Sequence, residues 1–332
     1  MAELQKQMLA YHDQIKLGTY EENTGLRKKR DLLLDELRES LAEEKIPNTE
    51  RKLTFSKLDQ GSYAMHTGVK PVDGDYDIDV GVIFDITNDE YDSRELKKLV
   101  RDKLKKKNNR TVVFNRPCIT VKYLDGYHVD LPVYTRNDGD IHIAWGKEFS
   151  AEYSWYEADP EGLKTWVYDV SVDSDARAQF RRCVRYLKRW KDNQFSNNGN
   201  VAPPSIGLTI QARDAFTYKA GSDLDCLIAI ASSIKNSFSS TLDLETLTSK
   251  KTVAVNLPVK PYKNVYYKMT PAQLDNYYNK VDALLEALEC ARDNDSAHEA
   301  SKLMRKIFGD FPLIEDSRAI KQAPYVTTGN NA

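Results

Sequence analysis

Two short segments of this chain carry the residue types that hold a metal-bound polyphosphate. The first is Gln60-Gly61-Ser62; the second is Asp77-Ile78-Asp79, at the head of an apolar run. Gly61 lets the backbone approach a phosphate closely, and Ser62 adds a hydroxyl donor beside a bare amide. Ile78, Val80, Val82, Ile83, Phe84 and Ile86 are mostly β-branched and predict a largely buried strand over 78–86. Side chains alternate along a strand, so Asp77 and Asp79 project from one face. Adjacent carboxylates raise one another's pKa unless a cation lies between them. With Mg²⁺, or Mn²⁺ in its place, they become a hard oxygen site for a nucleoside triphosphate.

A third carboxylate follows. Cys118 to Leu124 and Tyr127 to Tyr134 predict two strands joined by Asp125-Gly126, a strong hairpin signal. Asp130 lies on the second strand. A sheet that sets this hairpin beside 78–86 brings Asp130 to the Asp77–Asp79 pair, and three carboxylates can hold two metal ions. One ion would lower the pKa of an attacking hydroxyl; the other would steady the triphosphate and the leaving pyrophosphate. Asp130 is the candidate for taking the proton, directly or through its metal.

Other readings of these residues are weaker. Asp75, Asp77 and Asp79 alternate as in a calcium loop, but that pattern needs Gly sixth and Glu twelfth. Val80 and Ile86 stand there instead. The acidic stretch could also be a solvated turn, and a lone Gly-Ser is usually only a loop. Specificity resides in the order: Gly-Ser, then Asp-x-Asp on a strand, then a single Asp on a later strand.

The 332 residues suffice for two domains or one large bilobal unit. A net charge of −2 argues against a general nucleic-acid coat. Cys118, Cys183, Cys226 and Cys290 are far apart, suggesting neither a zinc ribbon nor a disulfide framework. Nothing resembles a signal peptide and no run of apolar residues is long enough for a membrane span, so a reducing cytoplasm is expected.

These residues need positioning elements. A charged helix is predicted over about 20–45, with Leu32, Leu33, Leu37 and Leu41 on one face. Ser93 to Lys107 predicts a basic helix with Leu96, Leu99, Val100 and Leu104 as its stripe; its lysines read better as a solvated face than as nucleic-acid contacts. Trp145 to Gly162 reads as a connection, with Asp159-Pro160-Glu161-Gly162 opening the next helix. The chain then turns strongly helical, with breaks at 197–204 and about 256–264, and residues 315–332 read as a flexible tail.

The helix predicted from Asp175 to Asp192 carries Phe180, Cys183, Val184, Leu187 and Trp190 as an apolar stripe. Arg177, Arg181, Arg182, Arg185, Lys188, Arg189 and Lys191 crowd the remainder. Some of these solubilise the helix; together they raise a positive field that a triphosphate would feel. Pro203-Pro204-Ser205 leads into a further apolar helix. Ser205 fits its N-cap, and equally a phosphate or base contact at the helix start.

Gln60-Gly61-Ser62, Asp77-x-Asp79, Asp130, Tyr186-Leu187-Lys188-Arg189-Trp190 and Pro204-Ser205 together resemble the cGAS/DncV-like nucleotidyltransferases (CD-NTases), over about residues 50 to 220. The resemblance implies an α+β fold: a DNA-polymerase-β-like palm with a mixed sheet and long spine helix (1–160), a helical nucleotide-binding lobe (161–314) and a tail (315–332). It implies that Gln60 and Ser62, with Gly61, contact the donor triphosphate, that Lys188 and Ser205 reach it from the helical lobe, and that Asp77, Asp79 and Asp130 hold two Mg²⁺. The implied reaction joins nucleoside triphosphates into a cyclic di- or trinucleotide second messenger, with release of pyrophosphate. Such enzymes signal phage infection to a downstream effector, and in some operons their C-terminus is conjugated to other proteins. The clustered Cys and His of an animal-type zinc insertion are missing, so direct activation by double-stranded DNA is not expected. A linear-oligonucleotide or other polymerase-β-like transferase shares the same carboxylates, and a degenerate, non-enzymatic nucleotide binder is a third reading. Nineteen tyrosines offer stacking candidates without selecting a base.

Overall fold

The computed structural model describes residues 3–316 except 18–19, 73, 75, 106–109, 197–200 and 244–247. Most of the tail (317–332), part of the break at 197–204, Asp75, and the last residues of the predicted basic helix therefore lie outside the described residues. In chain order the elements are α1 (Gln5–Ile15), α2 (Tyr20–Leu41), β1 (Phe55–Asp59), α3 (Gly61–Ala64), β2 (Tyr76–Phe84), α4 (Ser93–Leu104), β3 (Arg110–Phe114), β4 (Ile119–Tyr123), β5 (Tyr127–Leu131), β6 (Val133–Asn137), β7 (Asp140–Trp145) and β8 (Ser154–Ala158). Then follow α5 (Pro160–Tyr168), α6 (Ser174–Gln194), α7 (Ser205–Ala215), α8 (Asp223–Asn236), β9 (Ser239–Asp243), β10 (Thr248–Thr252), α9 (Pro271–Asp293) and α10 (Ala297–Phe308).

One mixed sheet forms the palm, with hydrogen-bonded order β3-β4-β5-β2-β6-β7-β8 and β1 antiparallel on β2. The stretch expected as one strand over Tyr127 to Tyr134 is interrupted at Pro132, which has no N–H to give the ladder. Its register against β2 is unchanged across the break: Asp79 faces Asp130 and Val82 faces Val133. The two halves therefore run as one interrupted strand parallel to β2. Alternation sends Ile78, Val80, Val82 and Phe84 into a core with Leu33, Leu34, Leu37 and Leu41 of α2 and Leu96, Val100 and Leu104 of α4. Asp77 and Asp79 take the other face.

Several expectations need correction. Leu32 is 59% exposed, and Leu34 takes its place in the buried stripe of α2. The stretch expected as a connection after Trp145 holds β8, which pairs along β7. The helical half contains the β9–β10 hairpin. α1 packs with the helical half: Leu4, Met8, Tyr11 and Ile15 share a core with Phe180, Val184, Leu187 and Trp190 of α6. Among the described residues, no helix is long and apolar enough to cross a membrane.

The cations of α6 hold the two halves together. Arg185 donates to the carbonyls of Gly68 (3.0 Å) and His66 (2.6 Å), Lys188 to Thr67 O (3.0 Å), and Arg189 to Lys70 O (2.7 Å). The segment after α3 is thus bound to α6 through its backbone. Arg182 is spent on the buried Asp223 and Arg177 on two loop carbonyls, so much of this helix's charge is structural. A second tie crosses at the far edge of the sheet, where Lys260 reaches Asp140 (2.8 Å).

Another buried cation organises the palm. Lys97 of α4 is fully buried and donates to Asn115 O and Arg116 O at 2.8 Å, with Ala144 O and Gly146 O at 3.2 and 3.3 Å. Burial lowers its pKa to about 7, but four carbonyls that can only accept favour the ammonium. Lys97→Met keeps the apolar stem and removes the ammonium these carbonyls share, leaving Arg116 O only the Gly146 N–H. It should lower stability by about 2–4 kcal/mol in urea denaturation; an unchanged midpoint would contradict this role.

Candidate active site

The site is built on one row of the sheet. Thr120 faces Asp130 across β4–β5, and Asp130 faces Asp79 across β5–β2, so the three share a level on one face. Asp77 sits two residues before Asp79 on the same face. One ligand oxygen from each of Asp77, Asp79 and Asp130 lies within 4.8 Å of the others. Burial, then the neighbouring Asp130, raises the Asp79 pKa to about 6, with Lys188 opposing. Three converging hard oxygen donors, one already disfavoured as an anion, fit a divalent cation of the Mg²⁺ or Mn²⁺ type.

α3 lies against this row. Gly61 adopts φ +71°, and a Cβ there would stand 1.9 Å from Asp79 Oδ2. Glycine is thus required twice over, by conformation and by the carboxylate. Sequence reasoning assigned its bareness to a phosphate; the structure gives a nearer cause in Asp79. Gln60 caps the turn and accepts from the Tyr134 hydroxyl through Oε1 (2.9 Å). Tyr134 is fully buried, and burial pushes its pKa up, so it stays a neutral donor.

A cleft of about 500 Å³ opens here, lined by Gln60, Gly61, Ser62, Asp77 and Asp79 from the palm and by Lys188 and Ser205 from the helical half. Asp130 adjoins it through the carboxylate row. The structure therefore gathers all the sequence-derived site residues in one place. Two of them differ in detail from expectation. Ser205 is the first residue of α7, and Pro204 occupies the cap position, so Ser205 is not an N-cap; its Oγ accepts from Lys191 at 2.8 Å. Lys188 is 6% exposed and holds Thr67 through both O and Oγ1 while it faces the cleft. Burial, then Lys191 and Arg185, lowers its pKa to about 7.

Tyr134, Lys164, Asp192 and Thr209 also line the cleft and escaped the sequence reading. Tyr134 had a usable signal, since strand alternation puts it on the face of Asp130. Lys164, Asp192 and Thr209 had none, because only the tertiary packing of α5, α6 and α7 turns them inward. Met65, Val69, Leu163 and Ile206 supply apolar wall of the kind a nucleobase needs.

A parallel row of acidic strand residues beside a Gly-Ser turn, in a palm faced by a helical lobe, is the architecture of a DNA-polymerase-β-like nucleotidyltransferase. Residues 56–134 match the family of cyclic GMP-AMP synthase DncV-like nucleotidyltransferase domains. A cyclic GMP-AMP synthase of Escherichia albertii is 33% identical over 192 residues, covering 55% of this chain and 42% of that protein. The chain thus spans less than half the length of that curated relative. The apo crystal structure of Vibrio cholerae DncV superposes with a TM-score of 0.74 at 20% identity, over 93% of this chain and 96% of that one. The same enzyme with the linear intermediate 5′ pppA(3′,5′)pG gives 0.67 at 20% identity, over 90% and 92%.

The raised Asp79 pKa makes a signed prediction for metal-free protein. An unfolded aspartate ionises near pH 3.9, but in the folded protein Asp79 ionises only at about pH 6. The wild type therefore loses stability as pH rises through that window, and Asp79→Asn does not. With chelator present, Asp79→Asn should be more stable than wild type at about pH 8, by up to about 3 kcal/mol, with the gap closing near pH 4. The double variant Asp77→Asn/Asp79→Asn should fold and show no turnover. A wild type that is the more stable protein at high pH would contradict the account of a buried carboxylate crowded by Asp130.

Proposed function

We propose that this chain is a cyclic-oligonucleotide synthase. The observation that carries the reading is the convergence of Asp77, Asp79 and Asp130 beside Gly61-Ser62 in a cleft closed by Lys188 and Ser205. The match of residues 56–134 to DncV-like nucleotidyltransferase domains supports the same reading, as do relatives named cyclic GMP-AMP synthases.

In this proposal Gln60 and Ser62 contact the donor triphosphate from the palm, while Lys188 and Ser205 meet it from the helical lobe. Asp130 takes the proton of the acceptor ribose hydroxyl. That oxygen bonds to the α-phosphorus as the bond to the bridging oxygen breaks, and pyrophosphate leaves. Mg²⁺ or Mn²⁺, two ions held by Asp77, Asp79 and Asp130, would activate the hydroxyl and neutralise the developing charge. A linear oligonucleotide forms first; its remaining hydroxyl then attacks its own 5′ α-phosphate in the same cleft, the bond to the α–β bridging oxygen breaks, and a further pyrophosphate leaves. The ring, a di- or trinucleotide, serves as a second messenger that a downstream effector reads, in defence against phage. The family resemblance is what supports that role, together with a cytoplasmic location and independence of double-stranded DNA. Conjugation at the C-terminal tail is part of the same proposal and falls largely outside the described residues.

A linear-oligonucleotide transferase would use the same side chains, so the product decides. Purified protein given the four ribonucleoside triphosphates with Mg²⁺ or Mn²⁺, then phosphatase, should yield a resistant product without free ends by mass spectrometry. Phosphatase-sensitive chains would favour the linear reading, and an inert protein would overturn both. Lys188→Ala should raise KM for nucleotide more than it lowers kcat, since its loss loosens the Thr67 segment and removes a cation from the cleft. A pure kcat defect in steady-state kinetics would contradict that assignment.

A further inference from the structure

The carboxylate row does not end at Asp130. Thr120 is its third member, one strand further out, with only 6% of its surface exposed. Its hydroxyl donates to Asp130 Oδ1 and accepts from Asn115 Nδ2 at 2.7 Å. Cys118 Sγ lies 3.6 Å from Thr120 Oγ1. The polarity of this chain is set by Asn115, whose amide nitrogen can only donate, so the threonine proton points at Asp130. Asn115 is itself fixed: its N–H reaches Cys118 O at 2.9 Å, and its carbonyl accepts from buried Lys97 at 2.8 Å.

Asp130 thus stands between a hydroxyl on one side and a like charge, Asp79, on the other. A carboxylate repelled by its neighbour and free to rotate would swing away from any shared cation. We propose that Thr120 is the positioning residue of this site: its hydrogen bond locks Asp130 in the one orientation that completes the cation site with Asp77 and Asp79, and Asn115 aims it. This rests on the nucleotidyl-transfer reading above for its rate effects, but the cation-binding part stands without it. Hydrogen bonds to ligating carboxylates orient them, and removing one typically costs about 10–100-fold in metal affinity or activity.

The test compares Thr120→Val, which keeps the shape and loses the hydroxyl, with Thr120→Ser, which keeps the hydroxyl. Mn²⁺ binding is measured by calorimetry, alongside kcat and KM for nucleotide and the metal concentration for half-maximal rate. Thr120→Val should weaken Mn²⁺ binding and lower kcat by about 10–100-fold with KM changed little, and Thr120→Ser should restore both to within a few-fold. Asn115→Ala, which leaves the hydroxyl but not its aim, should show a smaller loss in the same two readouts, and it serves if Thr120→Val does not fold. Wild-type Mn²⁺ affinity in Thr120→Val, or in Asn115→Ala where it stands in, would overturn the inference. So would equal impairment of the Val and Ser variants, which would mark a packing effect. A wild type that binds Mn²⁺ but never turns over would count against the proposed function and leave the positioning role standing on binding alone.

Discussion

Like-charge repulsion within the carboxylate row is the constraint around which the palm is arranged. Asp79 and Asp130 face each other across paired strands, with Asp77 two residues away. Without a cation this arrangement opposes folding: burial first, and then the neighbouring Asp130, raise the Asp79 pKa. The rest of the sheet compensates. The opposite face of β2 is an apolar layer sealed by α2 and α4, so the strand cannot twist the carboxylates outward without exposing Ile78, Val80 and Val82. Gly61 brings a backbone turn against Asp79 that no side chain would permit. A well-packed scaffold holds the carboxylates together, and a divalent ion between them would relieve their repulsion.

The second constraint is the joint between palm and helical half. Four consecutive-to-near carbonyls after α3, those of His66, Thr67, Gly68 and Lys70, all accept from side chains of α6. Charge-assisted bonds to backbone are strong and directional. They tie the segment that follows the Gly-Ser turn to the helix carrying Lys188, so whatever contacts Lys188 also bears on that segment. The Tyr134–Gln60 bond closes the same loop from the sheet side. Nucleotide in the cleft would therefore meet walls whose relative placement is already fixed.

Local rules made the carboxylate row legible in the sequence. Alternation placed Asp77 and Asp79 together, and Asp125-Gly126 fixed a hairpin that delivers Asp130. What escaped depended on partners distant in the chain. Arg185 meets Gly68 across 117 residues, and nothing local to α6 distinguishes a clamping arginine from a solvated one. β8 and β9–β10 are polar or mixed in composition, and their strand character comes from pairing rather than propensity. Leu32 and Leu34 differ only by which flank of the α2 stripe the sheet covers. Ser205 was legible as a helix start but not as the acceptor of Lys191, because that lysine belongs to another helix.

The most direct test of the central claim is a crystal structure of the protein with Mn²⁺ and a non-hydrolysable nucleoside triphosphate, read by anomalous scattering. The account predicts manganese between Asp77, Asp79 and Asp130, with the triphosphate running from that site along Gln60 and Ser62. Nucleotide bound in the cleft with no metal at the carboxylates, or manganese bound elsewhere, would contradict it.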